Sequence, residues 1–124
     1  MAISHLRAKR KVSGGMYRKI SKKTKNRGNL PLLINISPNK KKTNKTRGSH
    51  IKTRLLQANI ANVYDAKTKK YLKAKIEAVI DNPSNPNYVR RNIMTKGCTI
   101  KTDKGNAKIT SRPGQEGTIN AILL

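Results

Sequence analysis

The sequence has very few aromatic residues and almost no cysteine. Four Tyr and no Trp or Phe occur among 124 residues, so any core must be built from Ile, Leu, Val and Ala. The single cysteine, Cys98, excludes an internal disulfide and is typical of a reducing cytosol. We expect it to be a small buried apolar residue. A chain of this length has room for one domain with an appended arm.

Residues that bind metals or perform catalysis are equally scarce. His5, His50 and Cys98 lie far apart and lack the spacing of metal ligands, so we expect no metal and no cofactor. Five scattered acids offer no converging acid, base or nucleophile, so we expect no enzyme and no small-molecule substrate. The longest apolar runs fall far short of the ~20 residues that span a bilayer. A soluble, internal protein without a membrane partner is therefore predicted.

Negative charge is missing from the first part of the chain. The net charge is +24, and yet Asp65 is the first acid in the sequence. Of 29 basic residues, 17 lie in residues 1–54, and all five acids lie in residues 55–124. Charges this dense repel one another and favour an extended chain unless an external polyanion compensates them. The pattern predicts binding to nucleic acid, the commonest such polyanion.

The chain divides by composition into an arm and a body. Residues 1–29 contain too few apolar side chains to offset the entropy lost on ordering. We therefore expect a basic RNA-binding arm over residues 1–29, disordered without RNA, and a β-barrel-like body over residues 30–124. Within the arm, the pair Gly14 and Gly15 would let the backbone turn tightly against a phosphate. A plain flexible joint is the alternative interpretation.

Alternating apolar and polar residues predict several short strands in the body. The predicted strands are residues 30–36, 43–47, 51–64, 71–80, 98–103, 107–111 and 118–124. Pro31 indicates an edge strand in the first of these, and the adjacent Leu55 and Leu56 indicate a bulge in the third. The apolar last strand should close the sheet. The predicted fold is all-β, a small barrel-like antiparallel sheet with one short helix and a long basic N-terminal arm.

The connections between the strands carry turn signals. Residues 65–70 are predicted to form a hairpin loop, with Tyr64 and Tyr71 packed across the strand pair. Residues 38–42 should form a basic loop, because Pro and Asn favour turns. The one helix is predicted over residues 86–93, since Asn85 can cap it and Pro86 suits its first position. Residues 112–117 are predicted to be a turn.

Five short runs carry a resemblance to a known family. They are residues 61–65 (ANVYD), 90–97 (RRNIMTKG), 110–117 (TSRPGQEG), 13–15 (SGG) and 47–48 (RG). With these runs the chain resembles, over nearly its whole length, the small-subunit ribosomal protein eight shared by archaea and eukaryotes, the S-eight-e family. It departs from the family at residues 48–50 (GSH), where a second glycine followed by Asn is more usual. The absence of the long internal insertion of eukaryotic members points to the archaeal version.

The resemblance implies a structural, RNA-binding protein of the small ribosomal subunit with an all-β, barrel-like body. Its partners would be small-subunit ribosomal RNA and neighbouring small-subunit ribosomal proteins, and it would lie in the cytoplasm within the ribosome. The alternatives are a ribosome-assembly factor of the same family and a nonspecific nucleic-acid-binding protein. The short chain disfavours an extra assembly domain, and the strand-rich body is unlike that of a DNA compactor.

Phosphates, rather than bases, are the expected targets of the basic residues, because Lys and Arg neutralise the RNA backbone without sequence preference. Specificity would then come from the shape of the folded RNA. The candidates in the arm are Arg7, Lys9, Arg10, Lys11, Gly14, Gly15, Arg18, Lys19, Lys22, Lys23, Lys25 and Arg27. Those in the body are Lys40, Lys41, Lys42, Lys45, Arg47, Gly48, Lys52 and Arg54.

Some residues are weaker candidates. Arg90, Arg91 and Arg112 could also contact RNA, and Arg112 could equally be a turn residue paired with Glu116. Tyr17 and His5 could stack on a base, although four aromatic residues do not make a stacking platform. A single Lys could equally be a solvated charge, so the prediction depends on the cluster as a whole.

The acid-free composition generates a first prediction about the free protein. Without RNA, the amide hydrogens of residues 1–28 should exchange with solvent without strong protection, because mutual repulsion opposes any compact arrangement. Hydrogen exchange followed by mass spectrometry measures this directly, and the body residues serve as the protected internal reference. Strong protection before about residue 28 would contradict the expectation.

Overall fold

The computed structural model describes residues 8–18, 23, 28 and 30–124. Contacts divide the chain into two units, Met1–Pro31 and Leu32–Leu124. The second unit contains the regular elements, namely β1 (Ile34–Ile36), β2 (Lys40–Lys45), a 3₁₀ turn (Arg47–Ser49), β3 (Ile51–Ala58), β4 (Ile60–Asp65), β5 (Lys70–Asp81), α1 (Asn87–Arg90), β6 (Ile93–Met94), β7 (Thr99–Thr102), β8 (Gly105–Ile109), α2 (Pro113–Glu116) and β9 (Asn120–Leu123).

Five strands of this unit form a closed barrel in the order β4-β5-β7-β8-β9. Neighbouring strands are antiparallel except that β9 runs parallel to β4 and so closes the barrel. The interior is filled by small and β-branched side chains, as a narrow barrel requires. They are Ala61, Val63, Ala74, Ile76, Ile100, Ala107, Ile109 and Ala121. The predicted barrel-like body and its closing last strand are confirmed.

The remaining strands form a four-stranded sheet in the order β2-β3-β1-β6. The prediction of one strand over residues 51–64 was wrong, because β3 belongs to this sheet and β4 to the barrel. The chain bends at Asn59 between them, where the Asn59 carbonyl accepts the N–H of Ile76 at 2.9 Å. The expected bulge in this segment is present, as the register between β2 and β3 shifts between Lys40 and Lys41.

Two local predictions near the start of the sheet were also wrong. Strand β1 is not an edge strand, since it lies between β3 and β6. Pro31 precedes the strand and therefore interrupts no ladder. Residues 40–42 were predicted in a loop and instead begin β2, where pairing with β3 outweighs the local preference of adjacent Lys for solvent.

The helices are shorter and more numerous than predicted. Helix α1 ends at Arg90 because Ile93 joins β6, and the Asn85 side chain accepts the N–H of Asn87 at 3.0 Å. The predicted turn at residues 112–117 contains the second four-residue helix, α2. Here the Glu116 carboxylate accepts the backbone N–H of Arg112 at 3.0 Å.

The alternation of apolar residues from Leu72 to Ile80 holds only in part of β5. Ala74 and Ile76 are buried, whereas Leu72 is 41% exposed and the register against β7 shifts after Ile76. Beyond this irregularity Val79 is buried, and Ile80 is exposed. The structure confirms Cys98 as a buried residue, and this burial raises the pKa of its thiol.

One buried polar side chain connects the end of β5 to β6. Asn82 is 2% exposed, and its Nδ2 donates to the Ile93 carbonyl at 3.0 Å. Its Oδ1 accepts the N–H of Ser84 at 3.0 Å and the hydroxyl of Thr95 at 2.9 Å. The Ile93 carbonyl, the Ser84 N–H and the Thr95 hydroxyl therefore all depend on the side-chain amide of Asn82 for a hydrogen bond.

We predict that Asn82→Ala lowers the free energy of unfolding by about 2–4 kcal/mol, because it leaves a buried carbonyl unpaired and opens a cavity. Urea denaturation followed by circular dichroism measures the loss. Asn106→Ala, at an exposed position of β8, is the matched control and should cost less than about 1 kcal/mol. Equal losses in the two variants would show that the buried amide has no special part in stability.

Candidate nucleic-acid interface

The candidate residues fall in both units. In the first unit Arg7, Lys19, Lys22, Lys25 and Arg27, together with His5, lie outside the described residues. Lys9, Arg10, Lys11, Gly14, Gly15, Arg18 and Lys23 are described, and all of them are exposed. In the second unit all the candidates from Lys40 to Arg54 are described.

Residues 9–17 form a tight turn centred on the glycine pair. The N–H of Lys11 donates to the Gly15 carbonyl at 2.7 Å, and the N–H of Gly14 donates to the Lys11 carbonyl at 3.0 Å. An antiparallel bridge joins Arg10 to Met16. Gly14 has φ +82°, a left-handed conformation that glycine adopts without strain. The backbone thus turns where the sequence predicted, and contact of this turn with a phosphate stays a prediction.

The turn also orders two of its cations. The Arg10 guanidinium donates to the Gly14 carbonyl at 3.1 Å, and Lys11 Nζ lies 5.7 Å from the centre of the Tyr17 ring. A lone two-stranded hairpin is at best marginally stable in water. The predicted disorder of the arm in the absence of RNA therefore stays a prediction.

The β2–β3 hairpin arranges the body candidates on two faces. Its register places Lys42 directly opposite Arg54, and places Lys41 opposite Leu55. Leu55 is buried, so its face is turned toward the core, while Lys42, Lys52 and Arg54 share the other face. We call these three residues the outer hairpin face. Lys42 and Lys52 are exposed, and Arg54 is half-buried.

The electrostatics of the outer hairpin face are unfavourable in the free protein. Directly opposed side chains in an antiparallel pair lie about 4.5–5.5 Å apart at Cβ, so Lys42 and Arg54 repel each other. In residues 32–124 the Lys101 ammonium lies 3.2 Å from Glu77, whereas none of the basic side chains of the hairpin forms a salt bridge. Within residues 32–124, no carboxylate therefore offsets this charge.

The connection between β2 and β3 is a strained turn that carries Arg47. Gly48 and Ser49 have φ +74° and +62°, both in the left-handed region. Thr46 closes the turn by donating its N–H to the His50 carbonyl at 2.7 Å and its hydroxyl to the same atom at 3.0 Å. A glycine at position 49 would adopt this conformation without strain, whereas the Cβ of Ser49 opposes it.

Sequence reasoning found these cations but missed their arrangement. The opposition of Lys42 and Arg54 depends on the pairing register, for which the sequence holds no local signal. The weaker candidates Arg90, Arg91 and Arg112 are exposed beside the two short helices. In the parts of the chain that the structure describes, no cluster of His, Cys, Asp and Glu could hold a metal ion. No helix of those same parts is long and apolar enough to cross a membrane.

Comparison with known proteins identifies the family. The model of the family described as Ribosomal protein S8e matches residues 4–124. The chain is 45% identical to the small ribosomal subunit protein eS8 of Methanococcoides burtonii over 119 residues, which cover 95% of each chain. It is 44% identical to that of Methanococcus vannielii over 126 residues, covering 100% of this chain and 98% of the relative.

A third archaeal relative gives a similar result. The eS8 protein of Pyrobaculum aerophilum is 43% identical over 118 residues, which cover 93% of this chain and 90% of the relative. The expected likeness to archaeal members is thereby confirmed, as is the expectation of a non-enzymatic protein. On this match and these identities, the chain belongs to the ribosomal protein S8e family.

Proposed function

We propose that this chain is a structural constituent of the small ribosomal subunit, where it binds small-subunit ribosomal RNA through its basic arm and the β2–β3 hairpin. Its further partners would be neighbouring small-subunit proteins, and its location would be the cytoplasmic ribosome. The relatives named as small ribosomal subunit proteins support the setting. The observation that carries the RNA contact is the outer hairpin face, where Lys42 opposes Arg54 without a carboxylate partner.

The geometry of the hairpin suits the backbone of RNA. Lys52 and Arg54 lie two residues apart on β3, so their side chains leave the same face at points about 6.6 Å apart along the strand. Arg54 can bind a phosphate with two parallel N–H donors, while Lys42 and Lys52 act as exposed point charges. A short row of cations on a fixed strand pair therefore meets consecutive phosphates without reading bases.

The proposed contacts with phosphates also explain why two like charges can lie opposite each other in the hairpin. An opposed pair of like charges costs the free protein on the order of 0.2–1 kcal/mol, which is small beside the burial of Leu55 on the other face. A bound phosphate would replace this repulsion with attraction and release condensed counterions from the RNA. The clustered positive charge would thus stabilise the complex with RNA and lower the stability of the free protein only slightly.

The described part of the arm would act in a similar way. The Gly14 carbonyl takes one of the five N–H donors of Arg10, which leaves others for a phosphate. Lys9 and Lys11 are exposed on the same turn. In our proposal the arm adds phosphate contacts to those of the hairpin, and the shape of the RNA decides where both can be made together.

Binding to small-subunit ribosomal RNA should depend steeply on salt. If ~10 phosphates are contacted, a plot of log K against log salt concentration should have a slope of about −7 to −9. Filter binding or fluorescence anisotropy over a series of KCl concentrations measures it, with duplex DNA as competitor. A slope shallower than about −2 would mean that the basic residues are not the main contact. Equal competition by duplex DNA would instead favour the nonspecific alternative.

The outer hairpin face allows a sharper test with Lys42→Gln combined with Arg54→Gln. The double variant should reduce the magnitude of the salt slope by about 1.4–1.8 and weaken binding at low salt, because two phosphate contacts are lost. The RNA-free variant should keep its stability or gain about 0.2–1 kcal/mol, because the opposed charges are removed.

The matched control for this variant is Lys96→Gln combined with Lys104→Gln, which removes two exposed charges from turns elsewhere in the body. It should leave the salt slope nearly unchanged. If both double variants weaken RNA binding equally, the hairpin has no special part and only net charge matters.

A further inference from the structure

A second surface, on the barrel rather than on the four-stranded sheet, carries an ordered set of side chains. On β4 the buried Ala61 and Val63 alternate with Asn62 and Tyr64, which therefore point away from the barrel interior. The pairing of β4 with β9 and β5 aligns two rows of outward residues across the strands.

Each row consists of residues that lie opposite one another on neighbouring strands. In the aromatic row, Ile122 is paired with Lys108 on one side and Tyr64 on the other, and Tyr64 is paired with Tyr71. In the amide row, Asn62 is paired with Asn120 on one side and Lys73 on the other. Each row contains a lysine, and neither contains an acid.

Apart from Lys108, the residues of the two rows line a groove of about 570 Å³. Leu72, Thr110 and Ala121 complete its lining. This volume lies within the range of about 300–1,000 Å³ that small-molecule sites occupy. The groove is thus large enough to hold an aromatic ring system between the two rows.

The aromatic row offers a face for stacking. Tyr71 is 78% exposed, and the centres of the Tyr64 and Tyr71 rings lie 4.9 Å apart with a tilt of 43°. Ile122 is 42% exposed beside them. Two of the four Tyr in the chain therefore stand together on the outside of the barrel, which supplies the aromatic surface that stacks on an unpaired base.

The amide row offers both a hydrogen-bond donor and a hydrogen-bond acceptor beside that aromatic surface. Asn62 Nδ2 donates to Asn120 Oδ1 at 3.2 Å. This bond leaves the Asn62 carbonyl oxygen as an acceptor and the Asn120 amide nitrogen as a donor. A nucleobase edge presents donors and acceptors that match such a pair, and Lys73 stands next to Asn62 as a counter-charge for a phosphate.

We propose that this groove binds an unpaired nucleotide of RNA, with its base stacked on Tyr71, its edge bonded to the two Asn side chains and its phosphate against Lys73. The proposal rests on the proposed function, since it assumes that RNA is the ligand. An apolar protein partner would fit worse, because Asn62, Asn120 and Lys73 place polar and charged groups in the groove. The groove lies outside the outer hairpin face and acts by stacking, whereas that face acts by charge.

The intact protein can be tested with single-stranded oligoribonucleotides of about ten residues, a length within the site sizes of comparable barrels. Because the chain lacks Trp, its Tyr fluorescence can be followed, and the part of the quenching that Tyr71→Ala abolishes reports on stacking in the groove. Tyr71→Ala should weaken oligonucleotide binding about 5- to 150-fold, the ratio that corresponds to ~1–3 kcal/mol of base stacking. Tyr71→Phe retains the ring and should stay within about 3-fold of the parent protein.

Two controls separate this site from the rest of the molecule. Ile80→Ala removes an exposed apolar side chain elsewhere on β5 and should leave binding unchanged. The Lys42→Gln and Arg54→Gln double variant should weaken the binding of ribosomal RNA and yet preserve the quenching by oligonucleotides. Photo-crosslinking with 4-thiouridine, followed by mass spectrometry, should place the crosslink at Tyr64, Tyr71 or a neighbour in the groove.

The outcomes distinguish the two proposals. If the parent protein binds ribosomal RNA with a steep salt slope and Tyr71→Ala binds oligonucleotides as tightly as the parent, the groove proposal is wrong and the proposed function survives. If the parent protein does not bind ribosomal RNA at all, the proposed function itself fails. If sedimentation shows that the parent protein self-associates and Tyr71→Ala does not, the groove binds a second copy of the chain and the nucleotide site is refuted.

Discussion

The hairpin depends on the burial of Leu55, which outweighs the repulsion between Lys42 and Arg54 on the opposite face. Two opposed cations weaken the pairing of their strands by on the order of 0.2–1 kcal/mol. The inner face offsets this cost, because Leu55 is buried in the core and Thr53 packs against Gly117 at the end of α2, where a Cβ would lie 3.3 Å from the Thr53 carbonyl. The hairpin is thus anchored through its inner face, which leaves its outer face free to carry charge that folding alone would not favour.

The rest of the body folds without any contribution from this charge. The barrel closes through the parallel pairing of β9 with β4, and its interior is mainly apolar, with Thr102 of β7 as a buried polar residue. Asn82 then fixes the end of β5 to β6 and so connects the barrel to the sheet that contains the hairpin. A body stabilised in this way presents its cations on a fixed frame, so the proposed contact with RNA would cost little conformational entropy there.

From the sequence, the buried side of a strand could be predicted better than the strands with which it pairs. Alternation identified the buried side of β7, because a period of two depends only on adjacent residues. The apolar residues at the end of the chain indicated the closing strand β9. It could not show that the chain changes sheets at Asn59, or that β1 lies between β3 and β6, because both depend on partners distant in sequence. The Lys residues at 40–42 were misplaced for the same reason: their local preference for a loop is weaker than their pairing with β3. The candidate cations could therefore be named from the sequence, but the opposition of Lys42 and Arg54 could not.

The change of sheet at Asn59 also has a consequence for the proposed recognition of RNA. A single stretch of backbone, β3 followed by β4, carries part of the outer hairpin face at one end and Tyr64 at the other. Its bend is held by the hydrogen bond from the N–H of Ile76 to the Asn59 carbonyl, so the two surfaces keep a fixed orientation. An RNA that satisfies both must place its phosphates and an unpaired base at one set distance. Contacts with phosphates alone do not distinguish one RNA backbone from another, and stacking alone does not distinguish one base from another. A requirement for both contacts at once selects RNAs of a particular folded shape.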